Sequence, residues 1–316
     1  MSNLDYAGIK ALSKELHRPI KTLIALAANN DPFYVVPRRR KAAQWFSKTW
    51  TRLELGDGSH VRRVHYIIVS QRTPLLNVYR RIYTNTHANW LGLVLACRDA
   101  RSLDLVPRTA FVDRRNDEPI IYLPNNPEQA WIATFDQQPD VEIDSVEMPD
   151  LPALHLQPPT IQQRYHVEIW VEKTTMNDIL LPIAQRFGCN LITGSGELSL
   201  TACELVVDRA IASGLPVRIL YISDFDPAGM SMPVAASRKI EHRLRREGLD
   251  LDVQLRPIAL TADQCVDFQL PRTPIKMSDR RASEWARRFG EGATELDALQ
   301  ALHPGALGRS ISRFRS

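Results

Sequence analysis

Cysteine is scarce in this chain and carries no pattern. Cys97, Cys189, Cys203 and Cys265 are spread over 316 residues without C-x-x-C or Cys/His ligand spacing. That distribution excludes a disulfide framework and a structural zinc site, and it suits a reducing compartment. Long hydrophobic runs are also missing, since no stretch approaches the ~20 apolar residues that cross a bilayer. Asp5 and Lys10 stand where a signal peptide would be apolar. A soluble, cytoplasmic protein with no membrane partner is the expectation. A large net charge is absent as well, at +4, so any polyanionic partner has to be argued from where the basic residues fall.

They fall in clusters. Arg38-Arg-Arg-Lys41, Arg62-Arg63, Arg80-Arg81, Arg114-Arg115, Arg243 with Arg245 and Arg246, and Arg309, Arg313 and Arg315 are candidate phosphate contacts. Any one of them reads equally well as a solvated helix face; the ensemble favours nucleic acid. With 44% apolar residues, the chain has enough hydrophobic content for two or three lobes with cores of their own.

Residues 1–57 read as an N-terminal helical segment. Ile9, Leu12, Leu16, Ile20, Leu23 and Ile24 recur at helical spacing up to Asn29-Asn-Asp-Pro32, and the Arg38–Lys41 cluster leads into a second helix. Leu55-Gly-Asp-Gly-Ser59 is a turn, with Ser59 as N-cap of a helix to about Gln71 and Thr86 as N-cap of another to about Ala100. Short extended pieces follow at Ala110–Asp113 and Ile120–Leu123. Tandem helices followed by short strands suggest an α+β, winged-helix-like DNA-binding domain over 58–135. Residues 136–163 gather Asp136, Asp140, Glu142, Asp144, Glu147 and Asp150 among prolines and read as an acidic, Pro-rich linker.

From 164 to 316 strands and helices alternate, as in an α/β domain with a mainly parallel sheet. Expected strands are 165–172, Asn190–Thr193, 217–223 and Val253–Leu260, with a basic helix from about Met230 to Glu247. In the first strand Tyr165, Val167, Ile169 and Val171 share a face, and the strand finishes on Glu172. The third finishes on Asp224-Phe-Asp226, followed by Pro227 and Gly229. Open α/β sheets bind ligands at the carboxyl ends of their strands. Three carboxylates gathered there would either raise one another's pKa or hold a hard cation, Mg2+ or Mn2+. Phe225 would point away and leave Asp224 and Asp226 directed at one spot. The competing reading makes the two aspartates caps of the next helix.

These residues resemble the toprim signature, a glutamate after the first strand and D-x-D after a later one. Val171-Glu172-Lys173 and Asp224-Phe-Asp-Pro-Ala-Gly229 look like the forms found in the A subunit of DNA topoisomerase VI and its meiotic relative. Glu295-Leu-Asp-Ala-Leu299 is similar to a segment near the end of that subunit. The resemblance implies a Rossmann-like toprim domain with a C-terminal extension. It gives Glu172 the general acid/base role, has Glu172, Asp224 and Asp226 hold magnesium, and gives Lys173, Gly229 and Glu295 secondary places.

Arg62-Arg-Val-His-Tyr66 looks like the R-D-I-F/Y-Y segment that carries the family's tyrosine nucleophile, with Arg63 where aspartate is usual. At 100° per residue Val61, Val64 and Ile68 form a buried stripe and Arg62 and Tyr66 project from the other side. Tyr66 thus becomes the candidate nucleophile, with Arg62 or the metal stabilising its oxyanion. The partner that the resemblance implies is double-stranded DNA, with Arg62, Arg63, Arg114 and Arg115 as contacts to it. Tyr66 reads alternatively as a DNA-contacting or interface tyrosine, with water attacking at the same metal site. The size and domain order are similar to those of short, stand-alone A-subunit-like proteins, which implies a homodimer. Strand passage would need a separate ATPase subunit, since Gly194-Ser-Gly-Glu-Leu-Ser199 lacks the lysine and spacing of a P-loop. The expected activity is metal-dependent DNA strand cleavage. A toprim primase-like nucleotidyl transferase and a non-catalytic DNA-binding protein are the alternatives.

Overall fold

A computed structural model describes residues 6–26, 31–113, 116–122, 163–275, 279 and 281–312. Arg114, Arg115 and nearly all of the expected acidic linker lie outside the described residues.

The amino-terminal lobe is helical. Helix α1 (Tyr6–Glu15) stops earlier than the apolar spacing predicts, and only a 3-10 turn at Ile20–Thr22 follows. The break has a local cause: His17 takes a left-handed φ of 50° and Pro19 follows. Helix α2 (Pro37–Arg52) begins on a proline at its first position and contains the Arg38–Lys41 cluster rather than following it. Its Phe46 and Trp50 pack with Val64, Ile68, Leu93 and Phe111, so α2 shares one core with α3 (Val61–Val69) and α4 (His87–Ser102).

Thr86 caps α4 as expected, accepting from Asn89 N at 3.3 Å. Ser59 does not cap α3. Its backbone pairs with the Phe111 segment, Ser59 N donating to Ala110 O at 2.9 Å and Ser59 O accepting from Val112 N at 3.2 Å. His60 is the cap instead, its Nδ1 accepting from Arg62 N at 3.2 Å.

The carboxy-terminal lobe is an α/β unit. Strands β1 (His166–Val171), β2 (Asn190–Thr193), β3 (Val217–Ile222) and β4 (Val253–Ala259) form an all-parallel sheet in the order β2-β1-β3-β4. Both faces of its centre are covered, which is why β1 and β3 bury apolar residues on both sides, whereas edge strand β4 exposes Arg256 and Pro257. On one face Ile169, Val171, Leu220 and Ile222 pack with residues of α5 (Asn177–Phe187), α8 (Ala262–Asp267), α9 (Ala282–Phe289), α10 (Leu296–Leu302) and α11 (Ala306–Ser312). On the other, Trp170, Ile219 and Tyr221 meet α6 (Leu200–Ser213) and α7 (Met232–Glu247).

The chain leaves β1 towards α5 on the first face and β3 towards α7 on the second, and β1 and β3 are neighbours in the sheet. Such a reversal opens a crevice at the carboxyl ends of the two strands.

Arginines join the lobes. Arg101 at the end of α4 pairs with buried Glu204 of α6 and donates to Thr201 at 3.0 Å. Arg108 reaches Asp208 at 2.8 Å, the same carboxylate that Arg243 of α7 holds at 2.6 Å. Phe33 stacks under Arg238 of α7 at 4.2 Å and edge-on to His242 at 5.0 Å.

Candidate active site at the switch point of the sheet

Glu172 is the first residue past β1, and its backbone still belongs to the ladder, donating to Ile222 O at 3.1 Å. The next strand ends level with it, so Asp224 N reaches Glu172 Oε2 at 3.2 Å. Partial burial and the negative charges of Asp224 and Asp226 push the Glu172 carboxyl up to about 7.

Asp224 is buried and well held. Its Oδ1 accepts from Leu296 N at 2.8 Å and its Oδ2 pairs with Lys173 Nζ at 2.8 Å. Burial still raises its pKa, against the pull of both partners. Lys173 also pairs with Glu295 and, at 3.1 Å, with Asp297. Burial alone would lower its pKa; the bonds to Asp224 and Glu295 hold it above the ordinary value for lysine.

Phe225 points away into the core, as expected, against Trp285 at 4.7 Å and Phe289 at 5.2 Å between ring centres. Its backbone exchanges two hydrogen bonds with Thr294, at 2.9 and 3.0 Å. This pairing brings the Glu295–Asp297 segment alongside the strand end.

Asp226 behaves differently from Asp224. Its Oδ1 accepts from Gly229 N at 2.5 Å, closing the turn that leads towards α7. A side chain at 229 would place Cβ 2.1 Å from Asp224 O, so only glycine lets the chain turn here. Neither aspartate caps α7, whose N-cap position is Ser231 with no side-chain cap bond: Asp226 closes the preceding turn, and Asp224 is held by Lys173 and the Leu296 N–H. Among the described residues no group of three or more His, Cys, Asp and Glu is arranged to hold a metal ion. The Lys173 ammonium supplies the positive charge at Asp224, and the Gly229 N–H holds Asp226.

The donor chemistry nevertheless fits a hard divalent cation. Carboxylate oxygens are the ligands such ions select, and burial together with the charges of Asp224 and Asp226 makes Glu172 resist ionising.

Tyr66 and Arg62 lie on the open side of α3, with Tyr66 49% exposed. The Arg62 guanidinium sits 4.6 Å above the Trp90 ring, and Arg63 is exposed beside it. Val64 and Ile68 form the buried stripe together with His65, whose ring meets Tyr83 Oη at 2.7 Å and Asn85 Oδ1 at 3.1 Å. Among the described residues no hydrogen bond or ion pair links Tyr66 or Arg62 to the three acids.

Sequence reasoning passed over Asp297, although it lies two residues from Glu295, and Arg281, whose pKa is raised mainly by its pairing with Asp279 and also by the charge of Asp226. It also missed a lobe-scale asymmetry. Residues 32–98 hold twelve Lys and Arg against only Glu54 and Asp57, a net +10 in a chain whose total is +4. Counting charge by lobe rather than by cluster exposes it.

The chain matches no known family model and no curated protein. Among the described residues no helix is long and apolar enough to cross a membrane.

Proposed function

We propose that the protein cleaves DNA strands, using the carboxyl ends of β1 and β3 as the reaction centre and the basic helical lobe as the DNA-binding surface. The single observation that carries this reading is Glu172, held near neutrality with its Oε2 on Asp224 N. A carboxyl group that titrates near pH 7 can take a proton from an attacking hydroxyl and return one to the leaving sugar oxygen. Glu172, Asp224 and Asp226 would hold Mg2+ or Mn2+, which when bound stabilises negative charge on the phosphoryl oxygens. In this reading the carboxy-terminal lobe is a toprim domain and the amino-terminal lobe a winged helix, arranged as in the topoisomerase VI A subunit.

Two nucleophiles suit the proposal. Tyr66 is exposed on a helix carrying Arg62 and Arg63 and no acid. Its attack would form a phosphotyrosyl bond and release the neighbouring sugar hydroxyl. Without a link from Tyr66 to the acids of its own chain, this route calls for a second copy. Water is the other nucleophile, and its product is a free phosphate end.

A second reading, a DNA-binding protein without catalysis, is favoured by the Lys173 ammonium paired with Asp224 and by the closed turn at Asp226.

Supercoiled plasmid incubated with Mg2+ or Mn2+, with and without protease digestion, decides among them. Breaks revealed only after protease and lost in Tyr66→Phe indicate a covalent tyrosine. Free ends insensitive to Tyr66→Phe but lost in Glu172→Gln indicate water. Cleavage undiminished by both Glu172→Gln and Asp224→Asn overturns the proposed centre, and binding without cleavage supports the second reading.

A further inference from the structure

A cavity lies away from the acids. It lies in the amino-terminal lobe, with a volume of about 380 Å3, between α2, α4 and the hairpin 75–83 that joins α3 to α4. The hairpin is closed by Tyr83 N to Leu75 O and Asn77 N to Arg81 O, both 2.7 Å, with Arg80 turning at a left-handed φ of 59°.

Aromatic rings frame the cavity. Trp45 and Tyr83 stack nearly parallel at 6.0 Å, and Trp45 is pinned by its indole N–H donating to Leu76 O at 2.8 Å. Tyr79 stands at the hairpin tip, 58% exposed, with the Arg38 guanidinium donating to its hydroxyl at 2.6 Å. Gly92 and Leu95 of α4 close the far wall. Asp99 is the one acid among the lining residues, and Arg39 holds it at 2.7 Å. Among the described residues no carboxylate pairs with Arg38, Arg80 or Arg81.

We infer that this cavity receives an unstacked nucleobase of a single-stranded DNA segment, with the adjoining phosphates on Arg38, Arg80 and Arg81. The charge settles the class of ligand: the lobe carries +10 over residues 32–98, which attracts a polyanion and repels a second copy of the same surface. The aromatic walls settle which part of the polyanion enters. Single-strand binders combine a basic track with rings on which bases stack, whereas bases paired within a duplex cannot leave their stack without being extruded. The volume lies near the lower end of the ~300–1,000 Å3 range of ligand pockets, which suits one base and its sugar. The inference rests on the lobe binding DNA, as proposed above, and not on the acids or on cleavage.

The test is fluorescence anisotropy at fixed salt, with labelled oligo(dT), an abasic strand of equal length and a duplex of equal length. The variant Gly92→Leu fills the cavity; a Cβ at Gly92 meets nothing within 4 Å, so the backbone accepts it. The expected result is oligo(dT) binding roughly tenfold more tightly than the abasic strand, the scale of one stacked base. Gly92→Leu should erase that difference and leave abasic and duplex affinities in place. Equal binding of the two strands by the wild type, or a difference that survives Gly92→Leu, overturns the inference. If Gly92→Leu fails to fold by circular dichroism, Tyr79→Ala at the exposed hairpin tip is judged by the same criterion. A wild type that binds neither strand nor duplex overturns the DNA-binding reading and this inference together. Duplex binding without a base-dependent increment overturns this inference alone. A change in self-association on Gly92→Leu, read by sedimentation, would assign the cavity to a second copy and overturn it as well.

Discussion

Glu168 lies inside β1 and Glu172 immediately past its end, four positions along the same chain, and the sheet gives them opposite electrostatic surroundings. Glu168 is fully buried and accepts from Arg209 at 2.6 and 2.8 Å, from the Trp170 indole at 2.7 Å and from Asn190 at 3.3 Å, with His166 at 2.8 Å. Burial pushes its pKa up, but Arg209 and His166 outweigh it and hold the carboxyl at about 2. Glu172 is less buried, accepts from one backbone N–H and faces two other carboxylates; it sits at about 7. Burial pushes both carboxyls up, and their partners decide whether that push prevails. Glu168 is an anion locked into the framework, and Glu172 is a group able to exchange its proton.

The strongest way to break this comparison is to take Glu168's main partner away. Arg209→Met leaves a buried anion short of its ion pair, and unfolding in urea should show a loss of about 3–5 kcal/mol. A loss under about 1 kcal/mol would mean that the remaining donors suffice and that the network is not what fixes β1. Glu172→Gln is the counterpart. Plasmid cleavage should fall by roughly a hundredfold or more, while stability stays level or rises, because a crowded charge is removed from beside Asp224. A variant that loses stability and keeps cleavage reverses the assignment of the two glutamates.

The pH dependence sharpens the contrast, because the two groups act with opposite sign. Glu168 has its folded pKa below the ordinary 4.5, so its contribution is complete above 4.5 and is lost as pH falls towards 2. Glu172 has its folded pKa above 4.5, so the folded state binds the extra proton and loses stability as pH rises from 4.5 to 7. After allowance for solvent screening, the second effect is on the order of 1 kcal/mol. Melting temperatures taken across that window in chelator should decline for the wild type and flatten in Glu172→Gln. A parallel decline in both would place the titrating group elsewhere.

Much of this architecture was legible in the sequence, because parallel strands buried on both faces leave apolar runs. The β1 to β4 segments, the α4 cap at Thr86 and the inward Phe225 all follow from local pattern. What was not legible depends on residues far apart in the chain. Ser59 looks like a cap until Phe111 claims its backbone, and nothing near Glu168 announces that Arg209 and Asn190 will satisfy it. The split between Asp224 and Asp226 has the same origin. Both stand in one short motif, yet Asp224 is fixed by Lys173 and the Leu296 N–H, while Asp226 is fixed by Gly229 only three residues on. Glu172 lies within reach of the Asp224 N–H and of the charges of both aspartates, and the lysine among them was read from the sequence only as a secondary residue.

That lysine gives a smaller effect than Arg209 and the finest distinction. Lys173 is the positive charge that Asp224, Glu295 and Asp297 share, and it also restrains the pKa of Glu172. Glu295 and Asp297 are half-exposed, so their pairs are worth little in water. Buried Asp224 keeps the Leu296 N–H and its raised pKa lets it take up a proton, so Lys173→Met should destabilise the ion-free protein by about 1–2 kcal/mol, less than Arg209→Met. The informative measurement is the response to Mn2+. If the ammonium occupies the role that a divalent ion would take at Asp224, removing it relieves a competitor, and the Mn2+-induced rise in melting temperature should be larger in Lys173→Met than in the wild type. The variant should also move the Glu172 titration upward in chelator and back down with Mn2+, since one counter-charge replaces the other. A smaller Mn2+ response in the variant would show that Lys173 helps to assemble the acids, and its positive charge would then be better assigned to a DNA phosphate than to the carboxylates beside it.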